Sequence, residues 1–221
     1  MASKRSVRKS LSSRFGRKPA SRVVYLFREG ETERQYLQDL SDGCGIHVTP
    51  VLSVADPLDL INGAVAFLNA NADDFRRNSA LEIWIVFDDD EKPSVPVAMK
   101  AFPATLRRIK NANLRSRIHV GFMKPCIELW AVMCLPGGLR AFGKANGHRK
   151  MESLLRRLMP TYRHDGNPYF DVSKMTEWRE ACKRAQDWER QWGPFPDCVP
   201  ATWYAGIHEL VTRIQTAKGL S

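Results

Sequence analysis

Between residues 22 and 135 the chain alternates four times between a short β-branched or aromatic run and a segment with helical apolar spacing. That alternation restricts it to a mainly parallel sheet flanked by helices. "RVVYLFR" at 22–28 reads as a buried strand, and from Thr32 onward Tyr36, Leu37 and Leu40 share one helical face. "IHVTPVLSV" at 46–54 is a second strand in which Pro50 cannot donate to a ladder, which predicts an edge position. Asp56 and Pro57 open a helix with Leu60, Ile61, Ala64, Val65 and Leu68 as its apolar stripe. "LEIWIVF" at 81–87 is a third strand that stops at "DDDE", and Ser94 caps a helix to Ile109 that contains Pro96 and Pro103. "RIHVGF" at 117–122 is a fourth strand, followed by the helix "PCIELWAVMCL". The expectation is an α/β core of four strands at 22–135, between a basic tail at 1–21 and a mainly helical unit at 136–221. Helices are expected there near 150–159, 174–192 and 201–216. Met175, Trp178, Cys182, Ala185, Trp188 and Trp192 recur at helical steps, which favours core packing over base stacking.

Charge narrows the function classes. The chain has 34 Lys and Arg against 24 Asp and Glu, and eight of the cations fall at or before Arg22 with no acid among them. Such a tail either holds nucleic-acid phosphates, with Lys4, Arg5, Arg8 and Lys9 its first contacts, or is a disordered solubilising segment. A second basic stretch, "RRLMPTYRHDGNPYF" at 156–170, interleaves Arg156, Arg157, Arg163 and His164 with Tyr162, Tyr169 and Phe170, a composition suited to single-stranded nucleic acid. No apolar run reaches the roughly 18 residues of a membrane span, and "MASKRSVRKS" lacks the apolar stretch of a secretory leader, so a cytoplasmic location is expected. The five cysteines show no CxxC pair and the five histidines no HExxH, which argues against a zinc ribbon, a disulfide framework or a histidine-based zinc site. No GxxxxGK[ST] loop is present, so an ATPase would enter only as a partner.

The acids fall where a parallel α/β sheet builds its site, at the carboxyl ends of the strands. Glu29 lies just past the first strand, and Asp88, Asp89 and Asp90 just past the third. In extended geometry Asp88 and Asp90 point to one side and Asp89 to the other. Clustered carboxylates repel unless a cation sits among them, and oxygen-only ligands suit Mg²⁺ or Mn²⁺. Such an ion orients a phosphate and activates water, which in a basic protein points to phosphodiester chemistry. Plainer readings stand beside this one. "TERQ" at 32–35 fits a capping box from Thr32 to Gln35, Glu31 and Glu33 suit a helix dipole, and "DDDEK" suits a solvated turn. Gly30 is expected to let the backbone turn while Glu29 stays aimed at a metal.

"FREGETE", "VFDDDE" and "KPCIELW", in that order over residues 23–135, resemble the Toprim domain shared by topoisomerases, bacterial primases, OLD-family nucleases and RloB-like proteins, and most resemble the RloB-like family. Lys124 replaces the asparagine usual in the third motif. The resemblance implies a Toprim-like fold with a divalent metal at Glu29, Asp88 and Asp90, and with Glu33 and Glu128 as further ligands. It implies Glu29 as a general acid/base or a ligand, a bacterial origin, and a link to restriction loci and phage defence. Lys124 would bind the scissile phosphate or pair with Glu128. The leading expectation is a metal-dependent nuclease acting on RNA, tRNA being one candidate, or on DNA. A non-catalytic nucleic-acid sensor and a primase-like nucleotidyl transferase are the alternatives. A regulatory ATPase and a second copy of the chain are candidate partners.

Overall fold

Unbroken apolar strands belong in the middle of a parallel sheet, where both faces are covered. The computed structural model describes residues 22–145, 147–163, 170–197 and 203–219; the expected basic tail lies outside them. Strands β1 (Arg22–Arg28), β2 (Ile46–Ser53), β3 (Leu81–Asp88), β4 (Ile118–Lys124) and β5 (Tyr204–Ala205) form one sheet in the order β2-β1-β3-β4-β5. The first four are parallel, and β5 runs antiparallel to β4. Val23–Phe27 of β1 and Ile83–Phe87 of β3 are buried throughout. In β2, buried Ile46 and Val48 alternate with exposed His47 and Thr49, the pattern of an edge. Opposite Leu26 and Phe27 its register jumps from Pro50 to Leu52, so Val51 is the extra residue of a bulge.

The sheet has five strands where the sequence pattern predicts four. Two residues are too short for a periodic signal, and β5 exists only because β4 offers an edge to pair with.

The helices are α1 (Glu31–Ser41), α2 (Pro57–Ala70), α3 (Ala72–Arg77), α4 (Ser94–Leu106), α5 (Ala112–Arg115), α6 (Ile127–Cys134), α7 (Gly138–Ala141), α8 (His148–Leu158), α9 (Trp178–Trp192) and α10 (His208–Ala217). Right-handed crossovers send α1 to one face of the sheet and α2 and α4 to the other. Accordingly α2 packs on α4, whereas α1 meets α10, and α6 meets α8 and α9. Asp56 caps α2 by accepting from the Leu58 amide at 2.7 Å. All eight residues of α6 are buried, and the Trp130 indole on it donates to the Tyr36 hydroxyl of α1 at 2.7 Å. A helix apolar on every side is a core helix, and α6 anchors the site described below.

The last third is mostly helical, as expected, yet it shares one core with the sheet: Val23, Trp130, Trp188 and Ile214 belong to the same cluster. Met175, Cys182, Ala185 and Trp188 are buried, and Trp178 and Trp192 pack against them, so this aromatic face is core. Cys44, Cys126, Cys134 and Cys182 are free thiols, and Cys198 lies outside the described residues. No helix among the described residues is long and apolar enough to cross a membrane.

Candidate metal centre

The strand order reverses between β1 and β3: β1 continues through α1 to β2 on one side, and β3 through α4 to β4 on the other. A crevice opens at the carboxyl ends of strands at such a switch. Arg28 is level with Val86, the Glu29 amide donates to the Val86 carbonyl at 3.2 Å, and Asp88 ends β3. Glu29 and Asp88 therefore flank the crevice. Asp88 is buried, and its Oδ2 accepts the Ile127 amide at 3.2 Å, at the amino end of α6 where unpaired N–H groups favour an anion.

Past Asp88 the chain turns sharply. Asp90 and Glu91 take left-handed φ angles of 41° and 57°, which costs about 1 kcal/mol each for a residue with a Cβ. The Asp89 amide bonds the Met123 carbonyl at 2.8 Å and the Asp90 amide bonds that of Pro125 at 3.1 Å, holding the turn on β4. The turn folds Lys92 back over the crevice. Its Nζ donates to Glu29 Oε1 and lies 3.4 Å from Asp90 Oδ2.

Glu33 enters from α1. Gly30, not Thr32, is the N-cap, and Glu33 Oε2 accepts the Gly30 amide at 3.1 Å. The capping pair is thus two residues earlier than "TERQ" suggests, and Thr32 lies inside the helix. Gly30 is extended, with φ −119°, so it supplies no left-handed turn. It supplies room: a Cβ there would stand 2.9 Å from Glu33 Oε2. Glu31 is used locally, paired at 2.5 Å with both Arg28 and Arg34.

Glu128, on the first turn of α6, is 1% exposed and accepts the Tyr162 hydroxyl at 2.6 Å. His148 spans the remaining gap, with Nδ1 3.4 Å from Asp90 Oδ1 and Nε2 3.8 Å from Glu128 Oε2. Ligand atoms of Cys126, Glu128 and His148 all lie within 4.8 Å of one another, a grouping that histidine and cysteine spacing in the sequence did not suggest.

The charges are poorly matched without a cation. Burial, and then the negative charges of Glu33, Glu128, Asp90 and Glu29, push Asp88 well above the ordinary carboxylate range. Glu33 is pushed up to about 7 by burial, opposed by its backbone hydrogen bonds and reinforced by Glu128 and Glu29. Burial works against the Lys92 ammonium, but the hydrogen bond to Glu29 and the charges of Glu29, Asp90 and Asp88 outweigh it, and its pKa is raised. The Cys126 thiol is pushed up by burial and then by Glu128 and Asp88, so it stays protonated and suits a thiolate-seeking metal poorly. Glu29 Oε2 and Asp88 Oδ1 are buried and have no hydrogen-bond partner. Orphaned carboxylate oxygens among like charges suit a hard divalent cation, which Glu29 and Asp88 would hold, although no three of Glu29, Glu33, Asp88, Asp90 and Glu128 bring ligand atoms as close together as Cys126, Glu128 and His148 do.

The model of the family described as RloB-like protein matches residues 24–214. The chain belongs to the RloB-like family. Comparison with curated proteins and with solved structures gives no match. The family match runs from β1 into α10, well beyond the three motifs at 23–135 that carry the resemblance in sequence.

In this RloB-like chain the lysine beside Glu29 and Asp90 is Lys92. Lys124 lies 3.7 Å from Asp89 Oδ2, and both line a separate cavity with Val95, Met99 and Phe122. Asp89 thus does face away from Asp90, although Asp90 is not in extended backbone.

The expected nucleic-acid residues disperse. Tyr162 is 2% exposed and its ring packs on buried Phe170, so neither offers a face to a base. Arg156 pairs with Glu152 at 2.6 Å, while Arg157 and Arg163 are exposed. His164, Tyr169, Lys4, Arg5, Arg8 and Lys9 lie outside the described residues. Tyr162→Phe is expected to lower folding stability by about 1–2 kcal/mol through the lost donor to Glu128. Urea denaturation measures this; a variant as stable as the unmodified chain would show that the Tyr162 hydroxyl adds nothing through its bond to Glu128.

Proposed function

We propose that this chain is a divalent-metal-dependent nuclease of the Toprim type, cleaving RNA or DNA in the bacterial cytoplasm as part of antiphage defence. The observation that carries the reading is the pair of buried, unpartnered oxygens, Glu29 Oε2 and Asp88 Oδ1, at the strand switch of a parallel sheet. Mg²⁺ or Mn²⁺ bound there would activate water and neutralise charge on the phosphate. The chain's own residues set the rest. The Ile127 amide fixes Asp88 and the Gly30 amide fixes Glu33. In the metal-free centre burial raises the Glu33 carboxyl to about 7, so that a proton and a cation compete for it near neutral pH. Lys92 offsets the charge of Glu29 and Asp90. The defence role and the slight preference for RNA rest on family resemblance, and the cytoplasmic location on the composition of the sequence.

Incubation of the purified chain with labelled RNA and DNA tests this: fragments should form with Mg²⁺ or Mn²⁺ and not in EDTA. One observation favours a second reading. Lys92 already places an ammonium between Glu29 and Asp90, so the centre is partly neutralised without a metal, as a binding or sensor subunit would need. Retained nucleic-acid binding with no cleavage of either polymer under any divalent ion would leave that reading in place.

A further inference from the structure

Two cavities meet beside the acid centre. One, of about 440 Å³, is lined by Asp90, Glu91, Pro125, Gly147, His148, Arg149 and Lys150. The other, of about 510 Å³, is lined by Arg140, Arg149, Lys150, Ser153 and Arg157 over a floor that includes Leu154. Arg149 and Lys150 belong to both, so one trough leads outward from Asp90 and His148 between α7 and α8. Its outer part contains no acid.

Arg149, Ser153 and Arg157 stand at four-residue steps on α8 and share a face. Arg140 faces them from α7. All four cations of the outer trough are exposed, and none forms an ion pair with a described residue, in contrast to Arg156 with Glu152. Like charges crowded on one helix face repel, and an anion with repeated charges is the partner that relieves them. A membrane surface fits less well: the exposed large hydrophobic residues among those described are Val51 and Val97, and neither lies on α7 or α8. A basic recess that adjoins a carboxylate centre instead suits a flexible strand of phosphates.

We infer that this trough is the track for a single-stranded nucleic-acid backbone, held by Arg140, Arg149, Lys150 and Arg157 and delivered past His148 to the acid centre. The delivery rests on the nuclease reading; the binding does not.

The test is fluorescence anisotropy in EDTA with a short labelled single-stranded RNA, over a range of salt, on the full chain and on Arg140→Ala/Arg157→Ala. The first 21 residues are common to both proteins, so their contribution cancels. The slope of log affinity against log salt should become shallower by about 1.4, at about 0.7 for each phosphate no longer neutralised, with binding more than tenfold weaker near 0.1 M salt. Arg140→Lys/Arg157→Lys should restore the slope, and Mn²⁺ binding followed by electron paramagnetic resonance should be unchanged in all three. A slope equal to that of the unmodified chain overturns the inference, as does a loss confined to phosphatidylserine vesicles. If the unmodified chain cleaves and the slopes are equal, the track fails and the nuclease reading survives. If the slope falls and no protein cleaves, the track stands and the nuclease reading fails.

Discussion

Asp88→Asn is expected to abolish cleavage and, in the same molecule, to make the metal-free protein more stable. Asparagine keeps the volume of the side chain and an oxygen for the Ile127 amide, so packing at the start of α6 is preserved. What it removes is a buried negative charge opposed by Glu33, Glu128, Asp90 and Glu29. Relief of that repulsion should raise stability in EDTA by about 1 kcal/mol, within the range seen when strained functional groups are neutralised. On the nuclease reading, loss of the Asp88 carboxylate as a metal ligand should cost about 4 kcal/mol of transition-state stabilisation, or about a thousandfold in rate. Initial rates with Mn²⁺ and urea midpoints in EDTA report the two effects. A structural aspartate would lose stability on substitution, and a variant cutting at the normal rate would remove Asp88 from the chemistry.

Stability in EDTA should also fall as pH rises from about 4.5 to about 7, a direction set by Glu33. Its carboxyl lies at about 7 in the folded protein against an ordinary value of 4.5, so the unfolded chain releases this proton first. The favourable contribution is complete below 4.5 and is lost as pH passes through the folded value, for a total of about 3 kcal/mol. Asp88 is shifted in the same direction and reinforces the slope. Urea denaturation in EDTA should therefore give a higher midpoint at pH 5 than at pH 8, and Glu33→Gln should flatten the difference. Mn²⁺ should restore much of the lost stability at pH 8 and little at pH 5, where protons compete for the same oxygens. A midpoint in EDTA that rises with pH, in a Glu33-dependent way, would mean that Glu33 is paired with a cation in the folded chain.

The sheet core was legible because β1 and β3 are both buried on two faces and carry unbroken apolar runs, and because Pro50 marks β2 as an edge. The juxtaposition of Glu29 with Asp88 follows from strand order alone. Helix starts were less legible: a glycine N-cap supplies no side chain to recognise, and the bond from Glu33 to Gly30 identifies it only in three dimensions. Lys92 was visible as the cation of "DDDEK", but its place depends on left-handed backbone at Asp90 and Glu91, residue types that do not announce it. His148 could not be found by ligand spacing, since its neighbours Asp90 and Glu128 come from the turn after β3 and from α6. Arg156 and Tyr162 read as a nucleic-acid surface by composition, while four-residue spacing on α8 pairs Arg156 with Glu152 and the turn after α8 brings Tyr162 to Glu128.

The bulge in β2 has a consequence for many copies gathered on one polyanion. Crowding brings sheet edges together, and a straight, open edge is a template for strand-to-strand aggregation. Along β2, Pro50 lacks a donor and Val51 breaks the register, so the outer edge offers no regular ladder to a neighbour. If the proposed nucleic-acid binding gathers many copies on one strand, the proline that weakens β2 keeps their sheets from fusing.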